Sequence, residues 1–170
     1  MMANRQEDFQ ALAAGAALAA HALSEPTSVR REASRWRDAF LLQLEREFLP
    51  PLERRDLAFL AERIAAVSLH LTEDAGQTMP PTLRTAFRVC ADALCAVVDA
   101  LPQFRRPERF HPALAALRRS AEAAQALCAA AGQTAGIQAF WVWRSSADAF
   151  SAAAEAAARR SMPTSGDLSE

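Results

Sequence analysis

Thr82-Leu83-Arg84-Thr85-Ala86-Phe87-Arg88-Val89-Cys90-Ala91-Asp92-Ala93-Leu94-Cys95-Ala96-Val97-Val98-Asp99-Ala100-Leu101 is the stretch that decides the fold. Leu83, Phe87, Cys90, Leu94, Val97 and Leu101 recur in alternating steps of four and three. That spacing puts every large apolar side chain on one stripe of an α-helix and is the seam used by helix bundles. A strand would need alternation every second residue, and no segment of the chain has it. Met79-Pro80-Pro81 opens the helix, because a proline near the first helical position gives up no needed N–H.

The same pattern extends in both directions. Upstream, Phe9, Leu12, Ala16, Ala19 and Leu23 mark a first segment over about 5–23, closed by Ser24-Glu25-Pro26. A second runs from Ser28, an expected N-cap, to Phe48, with Trp36, Phe40 and Leu44 on its buried face. A third spans 52–75 with Leu57, Leu60, Ile64, Val67 and Leu71, stopped by Gly76. Downstream, residues 102–112 read as a basic, proline-rich connector. A fifth segment follows over 112–131, with Leu114, Leu117, Ala121, Ala124 and Cys128. A sixth covers 137–161, with Phe140, Trp143, Ala147, Phe150, Ala154 and Ala157. The expectation is all-α: an antiparallel bundle of six helices in two three-helix halves, with the break near 76–81. Residues 1–162 form one helical domain and 163–170 a disordered tail.

Composition narrows the function classes. The chain has 170 residues, 51% of them hydrophobic, and a net charge of −1, so bulk attraction to nucleic acid is not indicated. Only 5 glycines and no tyrosine occur, in keeping with a helical protein. The three cysteines Cys90, Cys95 and Cys128 read as free core thiols, since an odd count without paired spacing builds no disulfide framework. Glu7 and Asp8 stand where a signal peptide would carry basic residues, and no apolar run is long enough to span a membrane. The expected location is cytoplasmic.

No catalytic constellation emerges. His21, His70 and His111 lack a nucleophile partner in their local sequence, and neither a Gly-x-Ser-x-Gly elbow nor a phosphate-cradling glycine loop occurs. Glu108 and His111 have the Glu-x-x-His spacing of a di-metal bundle, but they fall in the expected connector. Carboxylates expected beside the seams are Asp92, Asp99, Glu122, Asp148 and Glu155. They read either as a wet helix face or as weak metal ligands, the latter reduced to Glu122, Asp148 and Glu155. Two basic stretches, Arg30, Arg31, Arg35 and Arg37, then Arg105, Arg106, Arg109, Arg118 and Arg119, read as solvated faces or as anion-contacting surface. No cofactor is implied.

One stretch is more specific. Phe48-Leu49-Pro50-Pro51-Leu52-Glu53-Arg54-Arg55-Asp56 resembles the turn signature of the PhoU-like family of phosphate-transport regulators, in particular its Pit-accessory branch. In that branch a helix ends in phenylalanine, a proline follows, and an acidic-Arg-x-Asp run opens the next helix; here these are Phe48, Pro51, Glu53, Arg54 and Asp56. Phe140-Trp141-Val142-Trp143-Arg144 is similar to the family's entry into its last helix. The resemblance implies a non-catalytic accessory protein that binds a phosphate permease or signalling partner at the inner membrane face. It also implies a metal cluster on paired carboxylates, and this chain departs from that pattern. Ala65 and Leu69 stand on the third helix, Arg30 and Ser34 on the second, and only Glu122 and Glu155 on the last two. The scaffold is therefore expected without the cluster. Two other readings are an unrelated helical adaptor or self-associating scaffold, and a metal-binding bundle.

Overall fold

The computed structural model describes residues 2–46, 54–74, 80–103 and 106–130, together with Arg144, Asp148 and Ala152. The elements are α1 (Met2–His21), α2 (Pro26–Arg46), α3 (Arg54–Asp74), α4 (Pro81–Ala100) and α5 (Pro107–Ala130), with a 3-10 turn at Leu101–Gln103. Among the described residues there is no strand.

The α4 seam forms as its spacing requires. Leu83, Phe87, Cys90, Leu94 and Val97 are buried, joined by Ala91 and Val98. Pro81 sits at the helix start, and the carbonyl of Pro80 accepts from Leu83 N at 3.0 Å and Arg84 N at 3.1 Å. On α5 the facing residues Leu114, Leu117, Ala121, Ala124 and Cys128 are buried, and α4 and α5 pack as a hairpin.

The second hairpin is α2 with α3. Val29, Ala33, Phe40 and Leu44 bury one face of α2, against Leu57, Leu60, Ile64, Val67 and Leu71 of α3. The sequence expects Ser28 as N-cap, but α2 begins two residues earlier. Glu25 accepts from Val29 N at 3.0 Å, Pro26 takes the first helical position, and the Ser28 hydroxyl donates to Glu32 Oε1 at 3.2 Å.

α1 joins the hairpins. It packs against α2, α3 and α4, and the buried residues of all five helices form one apolar cluster. Sequential order therefore misleads at one step: α3 and α4 meet mainly through α1 rather than as a packed pair. The first helix belongs as much to the second half of the chain as to the first, so the described helices do not separate into two halves. Its alanines and Gly15 permit this, because small side chains let several helix axes approach. Over residues 7–21, Glu7, Gln10, Ala14, Ala17 and His21 remain as an exposed stripe. A helix apolar on most sides is a helix with neighbours on most sides.

The start of α5 differs from the expected connector. The Arg106 carbonyl accepts from Arg109 N at 2.9 Å and Phe110 N at 3.1 Å, so the helix begins at Pro107 and encloses Pro112. Phe110, fully buried, drives the difference: burying a phenylalanine is worth roughly 2–3 kcal/mol, comparable to what one interior proline costs. Glu108 and His111 thus lie on a helix, both exposed.

The expected sixth helix and the tail fall almost wholly outside the described residues. Arg144, Asp148 and Ala152 are helical and exposed, and Asp148 is 3.5 Å from Arg118 of α5.

Candidate binding surface

Alternating chain direction places the C-terminal ends of α1 and α3 and the N-terminal ends of α2 and α4 at one end of the bundle. The 22–25 turn closes that end. Glu25 N donates to the His21 carbonyl at 2.8 Å, and the Ser24 hydroxyl donates to the same oxygen at 3.2 Å, satisfying the last turn of α1.

Two depressions flank the last turn of α3 at this end. One is lined by Pro26, Thr27, Arg30, Arg31 and Ser34 of α2 with Thr72 of α3. Thr72 is 8% exposed, and its hydroxyl donates to the Leu69 carbonyl at 2.8 Å. Arg30 and Arg31 are exposed, and neither makes an ion pair with a carboxylate whose side chain is described. The start of α2 adds the partial positive charge of its free N–H groups. The other depression is smaller and lies between α1, α3 and α4, with Ser24, Leu71, Arg84 and Arg88 on its wall.

The basic residues singled out in the sequence do not form one patch. Arg30 and Arg31 share the first depression, Arg35 is exposed one turn further along α2, and Arg37 is 3.2 Å from Asp38. Arg106 and Arg109 stand at the start of α5, the opposite end of the bundle, where Arg109 donates to Gln103 Oε1 at 3.1 Å. Arg105 lies outside the described residues. Of the turn motif, Phe48, Pro51 and Glu53 also lie outside them. Arg54 is exposed and Asp56 half-buried in the first turn of α3, where a carboxylate complements the helix end.

The carboxylates expected to face inward do not. Asp92, Asp99, Glu122 and Asp148 are all exposed. Each α4 aspartate stands two residues after a seam position, so at 100° per residue it points nearly opposite the seam. Glu155 lies outside the described residues. Among the described residues no three His, Cys, Asp or Glu side chains gather as a metal site would require.

The thiols are not poised as nucleophiles. Burial, reinforced by Cys128, pushes the Cys90 thiol up to about 12, and burial followed by Asp99 and Asp92 raises Cys95. Both stay protonated at neutral pH.

Two features escaped the sequence reading. Asp8 is fully buried between α1 and α2, with Gln43 Nε2 donating to its Oδ1 at 3.2 Å. The signal was present, since Asp8 stands four residues before Leu12 on the buried stripe of α1. Arg84 and Arg88 share a helix face by their spacing, but nothing local says that this face meets the end of α1 and Leu71 of α3.

No family model, curated protein or solved structure matches this chain.

Proposed function

We propose that this chain is a non-catalytic accessory protein that works by binding, and that Arg30 and Arg31 hold an anionic group of its partner. The carrying observation is the depression at the start of α2: two exposed guanidinium groups line a wall shared with Ser34 and Thr72. Guanidinium is suited to carboxylate and phosphate because its donors form a planar fork. The resemblance of the 48–56 stretch to phosphate-transport regulators makes a phosphate permease, or a sensor that reads its state, the partner to test first. No helix among the described residues is long and apolar enough to cross a membrane, so a membrane partner would be met from one side.

The test is capture of membrane proteins on the tagged chain at high and low phosphate, compared with Arg30→Glu/Arg31→Glu. The reading expects a transporter or sensor to be retained in a phosphate-dependent way and lost with the double substitution. Capture indifferent to both would remove it.

A second reading, a helical adaptor that self-associates or binds an unrelated protein, draws on Leu42 and Phe59. They are 50% and 47% exposed on adjacent helices of the α2–α3 hairpin, and Arg63 sits over the Phe59 ring at 4.8 Å. Sedimentation of the wild type against Leu42→Ser/Phe59→Ser separates the two: a concentration-dependent dimer that these substitutions abolish favours the adaptor. The metal-binding reading has no such support, because Glu122 and Asp148 face solvent.

A further inference from the structure

We infer that the outer face of the α4–α5 hairpin binds a second copy of this chain, so that two hairpins close into an antiparallel four-helix contact. Four large apolar side chains are exposed among the described residues, and two of them, Val89 at 50% and Leu127 at 39%, stand on this face. Each buried seam residue of α4 and α5 is preceded by one that lies about 100° back around the helix. From Ala86 to Ala100 and from Ala113 to Leu127, that preceding residue is alanine every time except Val89, Ser120 and Leu127. Because α4 and α5 run antiparallel, equal offsets from two facing seams fall on one side of the hairpin. α1 lies on the other side: Arg84 and Phe87 wall the depression shared with it, and Arg84 is about 140° around α4 from Val89. Asp148 meets Arg118, about 180° around α5 from Leu127, so it approaches from the far side as well.

Charge selects the occupant. One position further out from this apolar strip, α4 carries Thr85, Asp92 and Asp99, and α5 carries Pro112, Arg119 and Ala126, all exposed. An acidic edge and a basic edge thus border the same face, which is what a two-fold contact needs: α4 of each copy lies on α5 of the other, and each edge meets its complement. Measured along the helices from the turn at Leu101–Gln103, Asp92 and Arg119 both stand ~18 Å out. Asp92 of one copy therefore meets Arg119 of the second copy, twice per dimer, and no like charges are opposed along these two edges. Val89 packs at the same time beside Ala123 of the second copy, within about one helical turn of its Leu127. The alanines between them let the helix axes come close. A net charge of −1 sets up little repulsion between two copies.

The test is sedimentation equilibrium of the full chain. The wild type should form a concentration-dependent dimer. Val89→Glu/Leu127→Glu should leave a monomer whose far-ultraviolet circular dichroism matches the wild type. Asp92→Arg alone and Arg119→Asp alone should each weaken the dimer about tenfold, because the like charges they create occur twice in a two-fold contact. Combining Asp92→Arg with Arg119→Asp should bring the affinity back to within about threefold of the wild type, which a merely damaged fold would not do. A wild type that stays monomeric up to roughly 0.5 mM would overturn the inference. So would a dimer indifferent to Val89→Glu/Leu127→Glu, or a double exchange that fails to recover what the single ones lose. A dimer abolished by Leu42→Ser/Phe59→Ser but kept in Val89→Glu/Leu127→Glu would overturn it in favour of the α2–α3 surface. The inference goes beyond the role proposed for Arg30 and Arg31: Arg30→Glu/Arg31→Glu should leave the dimer intact, so membrane-protein capture and self-association can fail separately.

Discussion

The indole of Trp36 lies over Gly15, and its Nε1–H donates to the Ala11 carbonyl one helical turn earlier, at 2.7 Å. A Cβ at position 15 would overlap Cε2 and Cζ2 of the indole. The bond reaches across the α1–α2 contact to a carbonyl inside a helix. On the other side the ring stacks with Phe40, with centroids 5.7 Å apart and planes at 25°. Trp36 itself is only half-buried, and it forms the edge of the contact rather than its centre.

Gly15→Ala should therefore destabilise the protein, against the usual helix preference for alanine, by about 1–3 kcal/mol through overpacking. Trp36→Phe should lose about 1 kcal/mol with the hydrogen bond, and Trp36→Ala about 2–4 kcal/mol because the side chain is half-buried. Urea midpoints at constant slope are the measurement. Gly15→Ala as stable as the wild type would mean that the indole is not seated there.

Asp8 and Gln43 form the polar counterpart of that contact. Removing the amide should leave a fully buried carboxylate short of one donor, so Gln43→Ala should cost about 1–2 kcal/mol. A double-mutant cycle with Asp8→Ala should give a coupling energy above about 0.5 kcal/mol. Simple additivity of the two substitutions would show that they do not interact.

The Cys90 thiol gives a pH signature. Its folded value of about 12 lies above the ordinary 9.0, so its contribution to stability is complete below pH 9. Above that the unfolded chain ionises first, and stability falls on the order of 1 kcal/mol per pH unit up to about pH 12. Cys90→Ala should flatten the alkaline limb of a stability–pH curve relative to the wild type. Parallel limbs would contradict the burial assigned to Cys90.

Pro112 should be replaceable with profit. It lies inside α5, where its ring denies the Glu108 carbonyl a helical donor, and both residues are exposed. Pro112→Ala should raise stability by about 1–2 kcal/mol, less than the full proline penalty because the site is near the helix start. A drop in thermal midpoint would argue that Pro112 fixes the entry of α5 instead.

How far local pattern reaches is visible in these elements. α4 was fully legible, since its seam repeats without interruption and prolines mark its start. The start of α5 was not, because Pro112 looks like a boundary and the force that overrides it, burial of Phe110, is tertiary. α1 was legible as a helix over about 5–23, but not that it would meet three neighbours, since its alanine-rich sequence marks no single strong face. The two α4 aspartates failed for a geometric reason: two residues from a seam is the wrong side of a helix. Arg30 and Arg31 were visible as a charge run, whereas their relation to Arg84 and Arg88 depends on how the hairpins meet across α1.

α1 leaves the ribosome before any of its partners, yet its contacts extend to α4. While α2 to α4 are being made, a largely apolar helix has nowhere to rest except on incomplete surroundings. Its closure into the bundle must then await some eighty further residues of synthesis, a delay that folding from the N-terminus does not ordinarily impose. Of the five helices, the earliest in the chain is among the last to be sealed, so substitutions within it would be felt in yield from the cell as well as in the stability of the finished molecule.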